Sequence, residues 1–344
     1  MGDLIKSIDA LSLDVDDLGF KSSEGMQWDS IELSSVIEKK YLGRSEQGRD
    51  LWAFKLGHGD KKVSLLAGCH SDEPVGPEML RRLVCGIKGY EELLKPLLDS
   101  FTFFIFPHIN PDGEVKNESW IKTWPDLKTY LRQAFRELPG RDVEFGFPEM
   151  RRENQLWSDW LKREGPFDLH ISFHGMGYSE GTMLLIERHW MDRTTEIQSY
   201  FIEMSESHGY ALHDHDRKGD KGFNYIGPGF TTTPEGKAMK KHFLNNGDQE
   251  MASKFHLSSM EWIRSLGGDP LCLVTELPLF CIQKREGRQP GLPVHHLSLK
   301  QAKKSKQCDY DQLTRDLEIE PFPLHLALDF QLKILKQALK TVLK

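Results

Sequence analysis

The sequence predicts an α/β sandwich, on two observations. Short apolar runs bounded by glycine, proline or polar turns recur along the chain and have the length of buried strands. Between several of them lie longer stretches with leucines and valines at helical spacing. Strands that alternate with helices bury a sheet between helical layers. The 344 residues suffice for one large domain with insertions. A chain 38% hydrophobic and 28% charged can fill its core without leaving the surface apolar.

The first forty residues read as a polar lead-in with a helical patch over 31–40. Residues 41–50, with Gly43 and Gly48, form a turn between strands. Residues 51–56 alternate apolar and polar like a half-buried strand. A turn at 57–60 leads back into a strand over 63–67, so a hairpin is expected. One helix is predicted over 76–98 from its leucine and valine spacing. Residues 101–107 read as a central strand that ends in a strong turn, His108-Ile109-Asn110-Pro111-Asp112-Gly113. A helix over 148–162 carries Trp157 and Trp160, three apart and expected in the core. Strands follow over 167–173, 182–186 and 271–277, with a helix over 192–207 between the last two. Residues 209–258 are rich in Gly, Asp and Lys and read as loops with one short helix. Residues 285–293 are loop, and an amphipathic helix closes the chain over 323–343. This divides the chain into a lead-in (1–40) packing on a central domain (41–284, with a loop insertion at 209–258) and a C-terminal extension (285–344).

The net charge of -7, with no long basic block, gives no footing for nucleic acid. The apolar runs are far short of a membrane span. The N-terminus has no basic start followed by an apolar core, so no secretory signal is read. Five scattered cysteines, an odd number, argue against a disulfide framework and for a reducing, cytoplasmic setting.

Candidate chemistry begins where the strand over 63–67 ends. Gly68 breaks that run, and His70 and Glu73 follow on the loop. An imidazole and a carboxylate at this spacing can converge on one cation, and zinc accepts the mixture. A catalytic zinc takes three protein ligands and leaves the fourth position to water. The third should be a histidine at the end of another strand, because strand ends gather distant segments. Residues 167–175 offer His170 and His174 on one face by period-two alternation. His174, at the carboxyl end, is the better placed, and His170 reads as a core histidine. Water activation also needs a base. Glu276, near the end of an apolar strand, is the candidate, since a carboxylate there is costly without a partner or a task. His213-Asp214-His215-Asp216 reads as a solvated loop, and His295-His296 as surface.

Several segments together resemble the carboxypeptidase A-like zinc carboxypeptidase family. They are Gly43-Arg44-Ser45 with Gly48-Arg49, His70-Ser71-Asp72-Glu73, Asn110-Pro111-Asp112-Gly113, Ile171-Ser172-Phe173-His174 and Thr275-Glu276-Leu277. Ser258-Ser259-Met260-Glu261-Trp262 adds to the likeness, which covers roughly residues 41–282. The resemblance implies a three-layer α/β/α sandwich around a mixed, roughly eight-stranded sheet. It implies one Zn2+ per chain on His70, Glu73 and His174, with Glu276 as general base and then acid. It further implies metal-assisted hydrolysis of an amide bond, with a peptide or N-acyl amino acid as substrate.

The departures from the family pattern concern the substrate. The family's Asn-Arg pair, which grips a terminal carboxylate, falls on Glu144 and Phe145, and neither makes a guanidinium's bidentate contact. Either a nearby arginine (Arg141, Arg151 or Arg152) substitutes, or the substrate presents no free α-carboxylate there, or Glu144 selects a cationic group. The arginine that polarises the carbonyl is expected shortly after Gly113, where Lys116 and Lys122 stand, and Lys122 is taken for the role. Tyr225 is the candidate for the family's substrate-capping tyrosine. An N-acyl amino acid deacylase and a zinc-retaining binding protein are the alternative readings.

Overall fold

A computed structural model of the chain describes residues 1–14, 19–21, 26–304 and 309–344. Ten strands among them form one mixed sheet. They are β1 (Ile37–Arg44), β2 (Asp50–Leu56), β3 (Lys61–Ala67), β4 (Phe101–Phe106), β5 (Leu169–Ser179), β6 (Met183–Ile186), β7 (Tyr225–Gly227), β8 (Phe230–Thr232), β9 (Leu271–Ile282) and β10 (Ile319–Pro321). The order is β1-β2-β4-β3-β5-β9-β6-β8-β7, with β10 beside the far end of β9. The count exceeds the expected eight because three of the ten, β7, β8 and β10, are three-residue pieces too short to show a periodicity. β7 and β8 lie in the stretch that read as loops.

The four central strands β4, β3, β5 and β9 run parallel. Parallel strands covered on both faces read as unbroken apolar runs, and every residue of β4 is buried. Successive residues serve opposite layers. On β3, Leu65 joins the cluster that includes Leu328, Phe330 and Leu335 of the helix Leu324–Thr341. Leu66 joins Trp157, Trp160 and Leu161 of the helix Arg152–Lys162 on the other face. Each such side chain, fully buried, contributes about 1.5–3 kcal/mol. The two helical layers therefore hold the strand ends at a fixed level.

Three expectations are corrected. No hairpin joins β2 to β3, because β4 lies between them, antiparallel to β2 and parallel to β3. A strand buried along its whole length needs a neighbour on each side. The patch over 31–40 is not helical, since β1 begins at Ile37 and pairs along β2. The single helix over 76–98 is two, Val75–Cys85 and Glu91–Ser100, parted by Gly86 and by Gly89 at φ +88°.

The turn after β4 anchors the sheet to the segment after β1. Asn110 caps the helix Pro111–Ile121, its Oδ1 accepting from the Gly113 amide at 3.1 Å. Asp112 accepts from Ser45 Oγ at 2.6 Å, the Gln47 amide at 3.0 Å and Arg49 Nη1 at 3.0 Å. Gly68 holds φ +77° on the neighbouring turn, and a Cβ there would stand 2.5 Å from His108 Nδ1. Substituting Asp112→Ala leaves the Ser45 hydroxyl and Gln47 amide without their acceptor. The urea midpoint should fall by an amount worth about 3 kcal/mol.

Candidate metal centre

The register of the parallel strands builds the site. β3 delivers the loop that carries His70 and Glu73, closed by the Glu73 amide donating to the His70 carbonyl at 3.3 Å. On β5 and β9, His174 and Glu276 are direct neighbours across the ladder. The Nδ1 atoms of His70 and His174 stand 3.0 Å apart. Glu73 meets both, with Oε1 2.9 Å from His70 Nδ1 and Oε2 2.9 Å from His174 Nδ1. Two ring nitrogens this close, facing one carboxylate, suit a shared cation, and the three ligand atoms all lie within 4.8 Å of one another.

The far sides of both rings are anchored to carboxylates. His70 Nε2 lies 3.4 Å from Asp142 Oδ1, and His174 Nε2 lies 3.1 Å from Glu144 Oε2. A carboxylate on the outer nitrogen keeps that nitrogen protonated and turns the Nδ1 lone pair inward, as a metal ligand requires. The residues present therefore fit zinc. A second grouping, Cys69, Glu144 and His174, lies behind the His174 ring. Burial pushes the Cys69 thiol far up, and a protonated thiol is a poor ligand. Only the first grouping reaches the cavity, through His70 and Glu73; the cavity is about 740 Å³ and is also lined by Glu276 and Arg136. Burial and the Glu73 charge push Glu276 up to about 8.

Glu144, expected at the substrate, does not line the cavity. It is buried, accepts from the amide and hydroxyl of Ser259 at 3.0 and 2.9 Å, and faces His174. Burial would raise its pKa, but the His174 hydrogen bond leads the contacts that hold it at about 2. Phe145 packs on Phe255 and Met239, away from the cavity wall. Arg151 is buried against Glu153 at 3.0 Å and Asn110 at 3.2 Å, and exposed Arg152 donates to the Arg44 carbonyl. Lys122 pairs with Glu118 on the surface, 2.6 Å away. Tyr225 donates to Asp214 at 2.7 Å on the sheet edge and is not among the cavity-lining residues. His170 sits between Ser64 and Ser259 in the core.

The residue missed is Arg136. Its Nε bonds Asp72 at 2.7 Å and its Nη2 bonds Glu73, while 43% of the side chain stays exposed to the cavity. It was legible as the next arginine but one after Gly113, farther along than the expected spacing. The histidines that read as solvated are not: His213 is buried, and His213, His215 and His296 all line the cavity.

Residues 28–180 match the zinc carboxypeptidase family model. The chain is 26% identical over 126 residues to zinc carboxypeptidase A 1 of Drosophila melanogaster, covering 34% of this chain and 29% of that protein. It is 25% identical over 220 residues to the inactive metallocarboxypeptidase ecm14 of Talaromyces marneffei, covering 58% of this chain and 35% of that one. The chain thus spans about a third of the length of these curated relatives. The crystal structure of thrombin activatable fibrinolysis inhibitor superposes with a TM-score of 0.52, covering 99% of this chain and 83% of that one. At 15% identity this shows a shared fold.

Glu144→Gln removes the charge behind His174 and leaves its volume. Zinc affinity, measured by competition with a chelating dye, should drop roughly 10–100-fold.

Proposed function

We propose, proceeding from the chain's relationship to the zinc carboxypeptidase family, that it is a zinc-dependent peptidase with Glu276 as its proton carrier. The convergence of His70, Glu73 and His174, with Glu276 beside His174 and with His70, Glu73 and Glu276 lining one cavity, carries this reading. Zinc, when bound, supplies a Lewis acid and lowers the pKa of water. His70, Glu73 and His174 would hold it.

Glu276 takes a proton from the attacking water and hands it to the departing amine. Its pKa of about 8 belongs to the ion-free site. A cation on the three ligands favours the carboxylate form and moves this value toward the range of a general base at neutral pH. Arg136 turns its guanidinium to the cavity and is fixed by Asp72 and Glu73. Donors fixed in advance are suited to the carbonyl oxygen as negative charge gathers on it.

A peptide is favoured over an N-acyl amino acid as substrate because the matching family is one of carboxypeptidases. A zinc-retaining binding protein is the second reading, since one relative is named an inactive metallocarboxypeptidase. Glu276 and Arg136, both at the cavity, favour turnover. A cytoplasmic setting, expected from the cysteine pattern, is part of the same proposal.

Glu276→Gln should retain zinc and lower kcat on peptide substrates by about 10²–10⁴-fold. An unchanged rate removes Glu276 from the mechanism, and wild-type protein that binds zinc yet hydrolyses no peptide favours the binding reading. Zinc uptake should also depend on pH. Burial opposes a charged His70, but Glu73 beside it raises its pKa to about 10, so below that value zinc must displace a proton. Apparent affinity should therefore rise with pH between 6 and 8, by about tenfold per unit for each proton released. Titration in buffers of different ionisation enthalpy counts those protons.

A further inference from the structure

Resting on the peptidase reading, we infer that one wall of the cavity is an anion subsite that selects a substrate whose departing residue carries an acidic side chain. The wall comes from two segments remote in the chain. Arg217 and Lys221 stand on the loop before β7, and Lys300 and Lys303 at the end of the helix Val294–Ala302. The carboxylates around the cavity are otherwise engaged. Asp72 and Glu73 hold Arg136, Asp220 lies 3.5 Å from Arg217 and 2.7 Å from His242, and Glu276 faces the ligands. Among the described residues, Lys221 and Lys303 meet ring faces, Phe243 and Tyr130, at 5.3 Å each and not a paired carboxylate, although Asp72 acts on Lys303 from farther off.

Like charges gathered from separate segments repel, and the arrangement gains its stability when an anion arrives. Burial together with Arg217 and Lys221 lowers the pKa of Lys300, a sign that the cations feel one another. A second observation lies at the same wall. His213 is 3% exposed, and its Nδ1 has no partner among the described residues. The rings of His296 and His215 lie 5.1 and 5.7 Å from it, so three imidazoles line the same cavity as the lysines and Glu276.

The charge count favours more than one carboxylate. Phe145 stands where the family's clamp arginine would be and is turned into an apolar cluster, so the terminal carboxylate must find its cation elsewhere. With Arg217 paired to Asp220, the three lysines still outnumber that single charge. A side-chain carboxylate on the same residue supplies a second. Hydrolysis then breaks the amide C–N bond, the acyl carbon gains the hydroxyl of water, the amine gains the proton, and a free acidic amino acid leaves.

The test uses the zinc-loaded full chain and dansylated tripeptides alike except for a terminal Glu, Gln, Leu or Lys. The inference expects kcat/KM for Glu at least tenfold above Gln and Leu, with the margin shrinking between 50 and 500 mM salt. The double variant K300Q/K303Q should lose the Glu-over-Gln preference mainly through KM. Equal rates for Glu and Gln in the wild type, or an unchanged ratio in the variant, overturn the subsite while leaving the peptidase reading intact. If no peptide is cleaved, the peptidase reading falls. Titration with N-acetylglutamate against N-acetylglutamine then decides the subsite: tighter binding of the acid supports it, and equal binding overturns it.

Discussion

The site depends on the parallel register of β3, β5 and β9. His174 opposes Glu276 because residue for residue β5 runs beside β9, from Leu169 opposite Leu271 onward. A slip of one residue on either strand would turn its whole set of side chains to the other face. Such a slip is forbidden by what the other face buries. Leu169, Ile171 and Phe173 on β5, with Leu271 and Leu273 on β9, fill the larger core. Exposing them would cost far more than the hydrogen bonds of any local rearrangement. The apolar core therefore sets where the polar groups of the opposite face, His170, Ser172 and His174, come to rest.

Around this frame the site is organised by carboxylates in opposed roles. Glu73 faces the inner nitrogens of both histidines, whereas Asp142 and Glu144 take the outer ones. One set of negative charge attracts a cation to the middle, and the other set orients the rings that receive it. Arg136 belongs to both systems, since it holds Glu73 on one side and faces the cavity on the other. This dual contact explains how a guanidinium can stay near a cation site: Asp72 and Glu73 offset its charge.

Much of the frame was legible because its signals are local. The apolar runs of β3, β4, β5 and β9 announce buried strands; His70 and Glu73 follow the end of β3, but His174 and Glu276 pair midway along β5 and β9, which run on past the apolar runs to Ser179 and Ile282. Pairing was not legible, because nothing within residues 51–67 shows that Phe101–Phe106 will enter between β2 and β3. The short strands β7 and β8 were hidden for the same reason as their loop context: three residues carry no period. Side-chain direction was the second blind spot. Glu144 sits at the clamp position in sequence, yet the turn Val143–Phe145 points it at His174 and Ser259. Arg151 looked free to bind a ligand and is instead buried beside Asn110 and Glu153.

The same limit explains why the loop over 209–258 and the stretch at 295–296 read as surface. Histidines and lysines in a Gly/Asp-rich context resemble solvated polar residues when taken one at a time. Their meaning arises only when the fold sets the Arg217 loop and the helix Val294–Ala302 on one cavity wall. Asp214 fixes that loop by accepting from Tyr225 and from the Gly291 amide at 2.7 and 2.8 Å, so the cations are carried by structure rather than by flexible chain. Glu144 and Phe145 do not line the cavity, whereas Arg217, Lys221, Lys300 and Lys303 do. Once Glu144 is committed to His174, its stretch can no longer present a cation to substrate. The cations that do line the cavity are Arg136, those of the Arg217 loop and those at the end of the helix Val294–Ala302.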